Sequence, residues 1–175
     1  MSFEVTSQDL VEGGELPAAQ ASAHFGIPGG QDLSPQLAWS GAPEGTRSYA
    51  VTVVDPDAPR PGGFCHWAVV NIPAEVDQLP EGAGGAPDGM GPSGDVAGLP
   101  LGSVELVNDA GYSGFVGAGP PPGARHRYVV TVHALDVGSL PATPRTHGAR
   151  TLDDIAAHEL ARAGFTTHYE HPETR

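Results

Sequence analysis

The run RYVVTVHALDV at positions 127–137 limits the folds open to this chain more than any other segment. Its β-branched and aromatic residues favour an extended backbone, and successive side chains of a strand point to opposite faces. Tyr128, Val130, Val132 and Ala134 fall on one face, Val129, Thr131, His133 and Leu135 on the other. Both faces are largely apolar, so this strand belongs in the middle of a sheet covered on two sides.

Two more runs read as strands. SYAVTVV at 48–54 is stopped by Pro56, and HWAVVNI at 66–72 is closed by Pro73. Shorter candidates lie at 3–6, 103–108 and 165–169. One helix is predicted over 152–163, with Thr151 as its N-cap, Asp154 as capping-box partner and Gly164 as its stop. Leu152, Ile155, Ala156, Leu160 and Ala163 form its apolar stripe. Strands at irregular spacing with long Gly/Pro connections suit a mainly β sandwich or Greek key rather than alternating βαβ units.

The chain has 175 residues, of which 25 are Gly and 18 Pro. That length fits a single domain over residues 1–175. The segment 74–102 is dense in Gly and Pro and reads as one long loop, a class of segment that often carries function.

The formal charge is −13, and all eight cations are Arg. Nucleic-acid binding rests on cationic contacts to phosphates, so this balance argues against it, and against adhesion to an anionic membrane surface. No apolar stretch reaches the ~18 residues of a membrane span. Cys65 is the only cysteine, so no intrachain disulfide forms. Residues 1–16 carry neither a basic n-region nor an apolar h-region, and the expectation is a soluble, cytoplasmic protein.

The chemistry gathers at strand ends. DPDAP at 55–59 follows the first run, His66 heads the second, and GAGPPPGARHRY at 117–128 leads into the third. If the first two strands are antiparallel, Asp55, Asp57 and His66 meet at one end. If the third runs parallel to the second, His126 arrives there too, with Tyr128 two residues on and on the same face. A histidine held by a carboxylate keeps a fixed tautomer and a raised pKa, and presents a charged N–H donor. A phenol adds a donor, and the amides around Gly117 and Gly119 form an anion-binding nest. Pro59 and Pro120 to Pro122 stiffen the rim.

Each element also has a plain structural reading. Asp55 and Asp57 serve equally as Asx-turn residues ending a strand, and a lone His66 or His126 is more often a hydrogen-bonded structural histidine. His133 is assigned to packing, and Cys65 to the role of an inert small hydrophobe. No H-x-x-x-H or H-x-H spacing points to a metal, Ser113 lacks the glycine of a nucleophile elbow at position 115, and no phosphate-binding glycine loop precedes a helix. No cofactor, metal or catalytic nucleophile is expected.

SYAVTVVDPDAP, then HWAVVNIP, then GAGPPPG-x-x-HRY in that order, with SPQLAWSGAPEGTRSYAV upstream, resembles the phosphatidylethanolamine-binding protein family over about residues 30 to 170. The short loop between Asp57 and His66 is similar to its bacterial and archaeal Raf kinase inhibitor-like branch. The resemblance implies a β-sandwich of two antiparallel sheets with one or two short helices. It also implies an anion pocket made by Asp55, Asp57, Pro59, His66, Gly119, Pro120, Pro121, His126 and Tyr128, with a cis Ala58–Pro59 bond. The implied partners are a small anion (phosphate, a phosphoethanolamine-like ester or a carboxylate), a regulated protein such as a kinase, and a second copy of the chain in a homodimer. Three functions stay open. They are a non-enzymatic anion-binding protein, a hydrolase using a His/Asp pair as general base, and an interaction or inhibitor protein with a vestigial pocket.

Overall fold

The three long apolar runs become the three adjacent central strands of one sheet. In the computed structural model, which describes residues 2–85 and 98–173, β3 (Ser48–Asp55) pairs antiparallel with β4 (Phe64–Pro73) on one side and β7 (Arg125–Leu135) on the other. β6 (Val104–Glu105) extends the sheet beyond β4, and β8 (Glu159–Glu170) beyond β7. A second sheet of three short strands, β1 (Glu4–Thr6), β2 (Leu37–Ser40) and β5 (Gln78–Leu79), lies over one face of the first. All strand pairs within the two sheets are antiparallel. No helix among the described residues is long and apolar enough to cross a membrane.

Two cores follow from the two apolar faces of the large sheet. Val51, Val53, Trp67, Val69, Tyr128, Val130 and Val132 pack toward Leu37, Trp39 and Leu79 of the small sheet. On the opposite face Ala50, Cys65, Ala68, Val70 and Leu135 pack against Ile155 of the helix α1 (Gly148–His158). This double coverage is what the two apolar faces of β7 require.

The sheet is not regular at the place that matters. Val53 pairs with Trp67 but Val54 with Cys65, so His66 is an extra residue on β4. A bulge of this kind re-aims a side chain. Here it turns both His66 and Trp67 toward the face shared with Tyr128, while Cys65 points to the helix side.

Three elements differ from the sequence expectation. The helix starts at Gly148 with His147 as its N-cap, and Thr151 sits inside it, its hydroxyl bonded back to the His147 carbonyl at 3.3 Å. It ends at His158 rather than at Gly164, because residues 159–170 pair with β7 along almost its whole length. A continuous ladder of backbone hydrogen bonds outweighs the helix propensity of HELARA, whose Glu, Leu, Ala and Arg are all good helix formers. Within the segment 74–102, Gln78–Leu79 forms the edge of the small sheet and Leu79 is fully buried; residues 86–97 of that segment lie outside the described residues. No cis peptide bond occurs among the described residues, Ala58–Pro59 included.

Candidate functional site

β3 and β7 run antiparallel, so the end of β3 meets the start of β7, and the start of β4 comes to the same edge. A cavity of about 150 Å³ opens there. Its walls carry Asp55, Pro59, His66, Gly119, Pro120, Pro121, His126 and Tyr128. Ala58, Phe25 and Phe64 complete it, and none of these three was among the residues expected from sequence.

Asp55 serves two purposes. Its Oδ1 accepts the backbone N–H groups of Asp57 (2.8 Å) and Ala58 (3.1 Å), closing an Asx-turn that shapes the DPDAP corner. Its Oδ2 stands 2.7 Å from His126 Nδ1. The Asx-turn and the contact with a histidine are therefore both present at this one residue. A carboxylate only accepts, so Nδ1 carries a proton and Nε2 is the nitrogen left for the cavity.

His66 is fixed differently. Its Nδ1 donates to the Val116 carbonyl at 2.8 Å, which again leaves Nε2 for the cavity. Burial lowers its pKa, outweighing the Val116 hydrogen bond and the Asp55 charge that act to raise it. The expectation of a raised pKa fails for this histidine because it has a carbonyl for a partner, and desolvation disfavours its charged form. The ring lies 5.2 Å from Tyr128 in an edge-to-face arrangement and 4.7 Å from Phe64.

The Tyr128 hydroxyl is buried without a hydrogen-bond partner among the described residues. The Gly119 N–H faces it without closing a hydrogen bond. Burial, with the Asp55 charge next in size, pushes its pKa up, so the phenol keeps its proton and is a donor. An unpaired buried hydroxyl costs about 1–3 kcal/mol, and a ligand oxygen in the cavity would satisfy it.

Two expected residues take other roles. Asp57 does not line the cavity. Its carboxylate is held outside by the Arg127 guanidinium and backbone N–H (2.8–3.1 Å), which keeps its pKa at about 2. The Gly117 N–H is not available to an anion, because it donates to Asp32 Oδ1 at 2.8 Å. Glycine is needed at 117 because a Cβ would stand 2.4 Å from the Ala21 backbone; at 119 a Cβ would press on the Phe25 side chain at 2.7 Å and displace it.

Asp32, like Phe25, is a residue the sequence did not flag. Asp32 adopts φ +49°, and its second oxygen takes the His24 N–H, so one buried carboxylate ties the 21–32 loop to the 115–119 wall. The loop has no hydrophobic period to announce it. Cys65, beside His66 in sequence, faces away from the cavity, and burial pushes its thiol up to about 12. No group of three His, Cys, Asp or Glu among the described residues is placed to hold a metal ion.

Comparison with known proteins adds the ancestry of this geometry. The family model described as phosphatidylethanolamine-binding protein matches residues 6–170. The chain is 44% identical to the UPF0098 protein YbcL of Escherichia coli K12 over 97% of its own length and 88% of that protein. It is 40% identical to YbhB of the same organism, over 94% and 98% of the two chains. The crystal structure of E. coli YbcL, described as a new member of the mammalian PEBP family, superposes with a TM-score of 0.86 over 96% of this chain and 98% of that one. A putative homologue from Chlamydia trachomatis, CT736, superposes with a TM-score of 0.74 at 28% identity, over 97% of each chain.

Proposed function

The chain belongs to the phosphatidylethanolamine-binding protein family, and from that membership and the geometry of its cavity we propose that it is a non-enzymatic binding protein for a small anion, a phosphate ester or a carboxylate. The observation that carries this reading is the convergence of His66, His126 and the partnerless Tyr128 hydroxyl on one small cavity, with Asp55 behind His126. The volume is that of about five water molecules at ~30 Å³ each, enough for a phosphate or carboxylate head and a short substituent. Phe25, Phe64 and the prolines offer that substituent apolar contact.

The proton inventory decides how an anion is held. With both Nδ1 atoms committed, a neutral imidazole offers only a lone pair at Nε2 and repels an anion. His66, whose pKa burial lowers, stays neutral. The donors to the anion are therefore His126, which has the Asp55 carboxylate behind its ring, and the Tyr128 hydroxyl. Occupancy of the cavity would in turn set the conformation of its Phe25 and proline rim, the surface through which a regulated partner protein such as a kinase would sense it.

Calorimetric titration with inorganic phosphate, phosphoethanolamine and nucleotides tests the reading. Binding that weakens in His126→Ala and Tyr128→Phe is expected. No heat with any of the three, or affinities unchanged in both variants, would overturn it.

A further inference from the structure

The helix-side face of the large sheet carries a second constellation that the cavity does not use. The Thr52 Oγ1 on β3 lies 2.9 Å from His133 Nε2 on β7, and His133 Nδ1 lies 2.5 Å from Glu159 Oε2 at the start of β8. Glu159 only accepts, so the proton sits on Nδ1, and a neutral ring takes its second hydrogen bond from the Thr52 hydroxyl. Burial lowers the pKa of His133 and so favours that neutral form. The other oxygen of Glu159 is held by Arg162 Nε at 2.7 Å.

Hydroxyl, imidazole and carboxylate thus stand in the order and at the distances of an activated oxygen nucleophile. A buried histidine satisfied by any two polar partners would look similar in a sealed core. The difference is that Thr52 and His133 line an open groove of about 320 Å³ between the sheet and α1. Val54, Val129 and Leu152 give the groove apolar walls, and Arg162 brings a guanidinium whose terminal nitrogens have no hydrogen-bond partner among the described residues. Apolar walls with a few convergent polar groups are the usual make-up of a small-molecule site.

We propose that this groove is a second, acyl-transfer site for small esters with an apolar acyl chain. Thr52 is the nucleophile, His133 the general base, Glu159 the positioning residue and Arg162 the cation facing the developing oxyanion. Thr52 Oγ1 bonds to the acyl carbon as its proton passes to His133 Nε2. Collapse of the tetrahedral intermediate breaks the bond from the acyl carbon to the alkoxy oxygen, and the alcohol leaves with the proton from His133. Water then attacks the acyl-threonine with His133 again taking the proton, which releases the carboxylic acid and restores the hydroxyl. No oxidant or further co-reactant is needed.

Incubation of the full chain with p-nitrophenyl butyrate, following release of nitrophenolate and mapping the acylated residue by peptide mass spectrometry, tests the site. The acyl group is expected on Thr52. Thr52→Val, which keeps the shape of the side chain, should lower turnover by about a hundred-fold, the lower range for a positioned base acting on its nucleophile. Thr52→Ser should retain it. Glu159→Gln should slow turnover and shift its pH profile, which loss of a merely structural contact would not do. Turnover no faster than in buffer, acylation only at other residues, or a folded Thr52→Val variant as active as the parent would each overturn the proposal. Should Thr52→Val fail to fold, the acylation map of the parent chain decides alone.

Discussion

Asp55 and His126 lie 71 positions apart, yet Asp55 Oδ2 and His126 Nδ1 meet at 2.7 Å at the lip of the cavity. The contact exists because β3 and β7 pair antiparallel from Ser48 with Leu135 to Val54 with Val129, which carries the end of one strand to the beginning of the other. The same carboxylate holds the turn that follows β3 through the amides of residues 57 and 58. The position and tautomer of the imidazole are therefore set by the backbone geometry of the DPDAP corner.

Asp55→Asn separates these roles. Asparagine keeps an oxygen for the two amides, so the turn should survive. Its side-chain N–H then faces His126 Nδ1, which moves the ring proton to Nε2 and leaves a neutral donor in the cavity. Phosphate affinity should fall about ten-fold or more, because a hydrogen bond to a charged group is worth about 1.5–3 kcal/mol and a neutral one less. Titration calorimetry reads the change, and an unchanged affinity would show that this pair does not hold the ligand.

Much of this arrangement was legible in the sequence, for identifiable reasons. β-branched runs reveal strands wherever both faces are buried, and β3, β4 and β7 are such strands. Chemistry placed at strand ends can be inferred once their directions are known. The bulge at His66 was not legible, because one extra residue changes the facing of a side chain without changing composition. Nor was the start of β8. HELARA is compatible with a helix taken alone, and only pairing with β7 makes it a strand. Asp32 and Phe25 sit in a turn-rich stretch where no period marks a wall of a site.

Asp32 is expected to be a structural pillar of the cavity. Asp32→Ala strands the buried amide of Gly117, whereas that of the exposed His24 can turn to water. For one buried unsatisfied group the loss should be about 1–3 kcal/mol. Asp32→Asn should be milder, since asparagine tolerates the positive φ and retains one acceptor. Urea unfolding of the three proteins gives the ranking. Equal midpoints for the parent and the alanine variant would remove Asp32 from this role.

Acid should weaken the fold before its carboxylates titrate fully. His66 and His133 both have pKa values lowered by burial from an ordinary 6.5. A depressed folded pKa gives stability that is complete above the unfolded value and is lost as pH falls through it toward the folded one, at up to about 1.4 kcal/mol per pH unit for each group. Glu105, whose pKa burial raises, gains on protonation and offsets part of the loss at the lower end. The urea midpoint should therefore fall between about pH 7.5 and about pH 5. A midpoint that holds or rises over that range would mean the two rings accept charge in the folded state.

Gly117 and Gly119 are two residues apart on one wall, and the same methyl group should act on them in different ways. At 117 an added Cβ meets backbone atoms of residues 20 and 21 at 2.4–2.6 Å, which only a movement of the wall can relieve. At 119 it meets the side chain of Phe25 at 2.7–3.1 Å, and that residue is 43% exposed. The Phe25 ring can rotate into solvent, and its Cβ, at 2.8 Å, can yield with the exposed turn of residues 23–26, whereas two packed backbones have no such freedom. Gly117→Ala should thus cost at least about 1–3 kcal/mol, the usual range for overpacking, seen as a lower thermal midpoint. Gly119→Ala should cost less stability than Gly117→Ala and change ligand affinity as well, because the displaced Phe25 side chain is itself a wall of the cavity. Equal thermal midpoints for the two variants, or an affinity untouched by Gly119→Ala, would contradict the assignment of Phe25 as the adjustable wall.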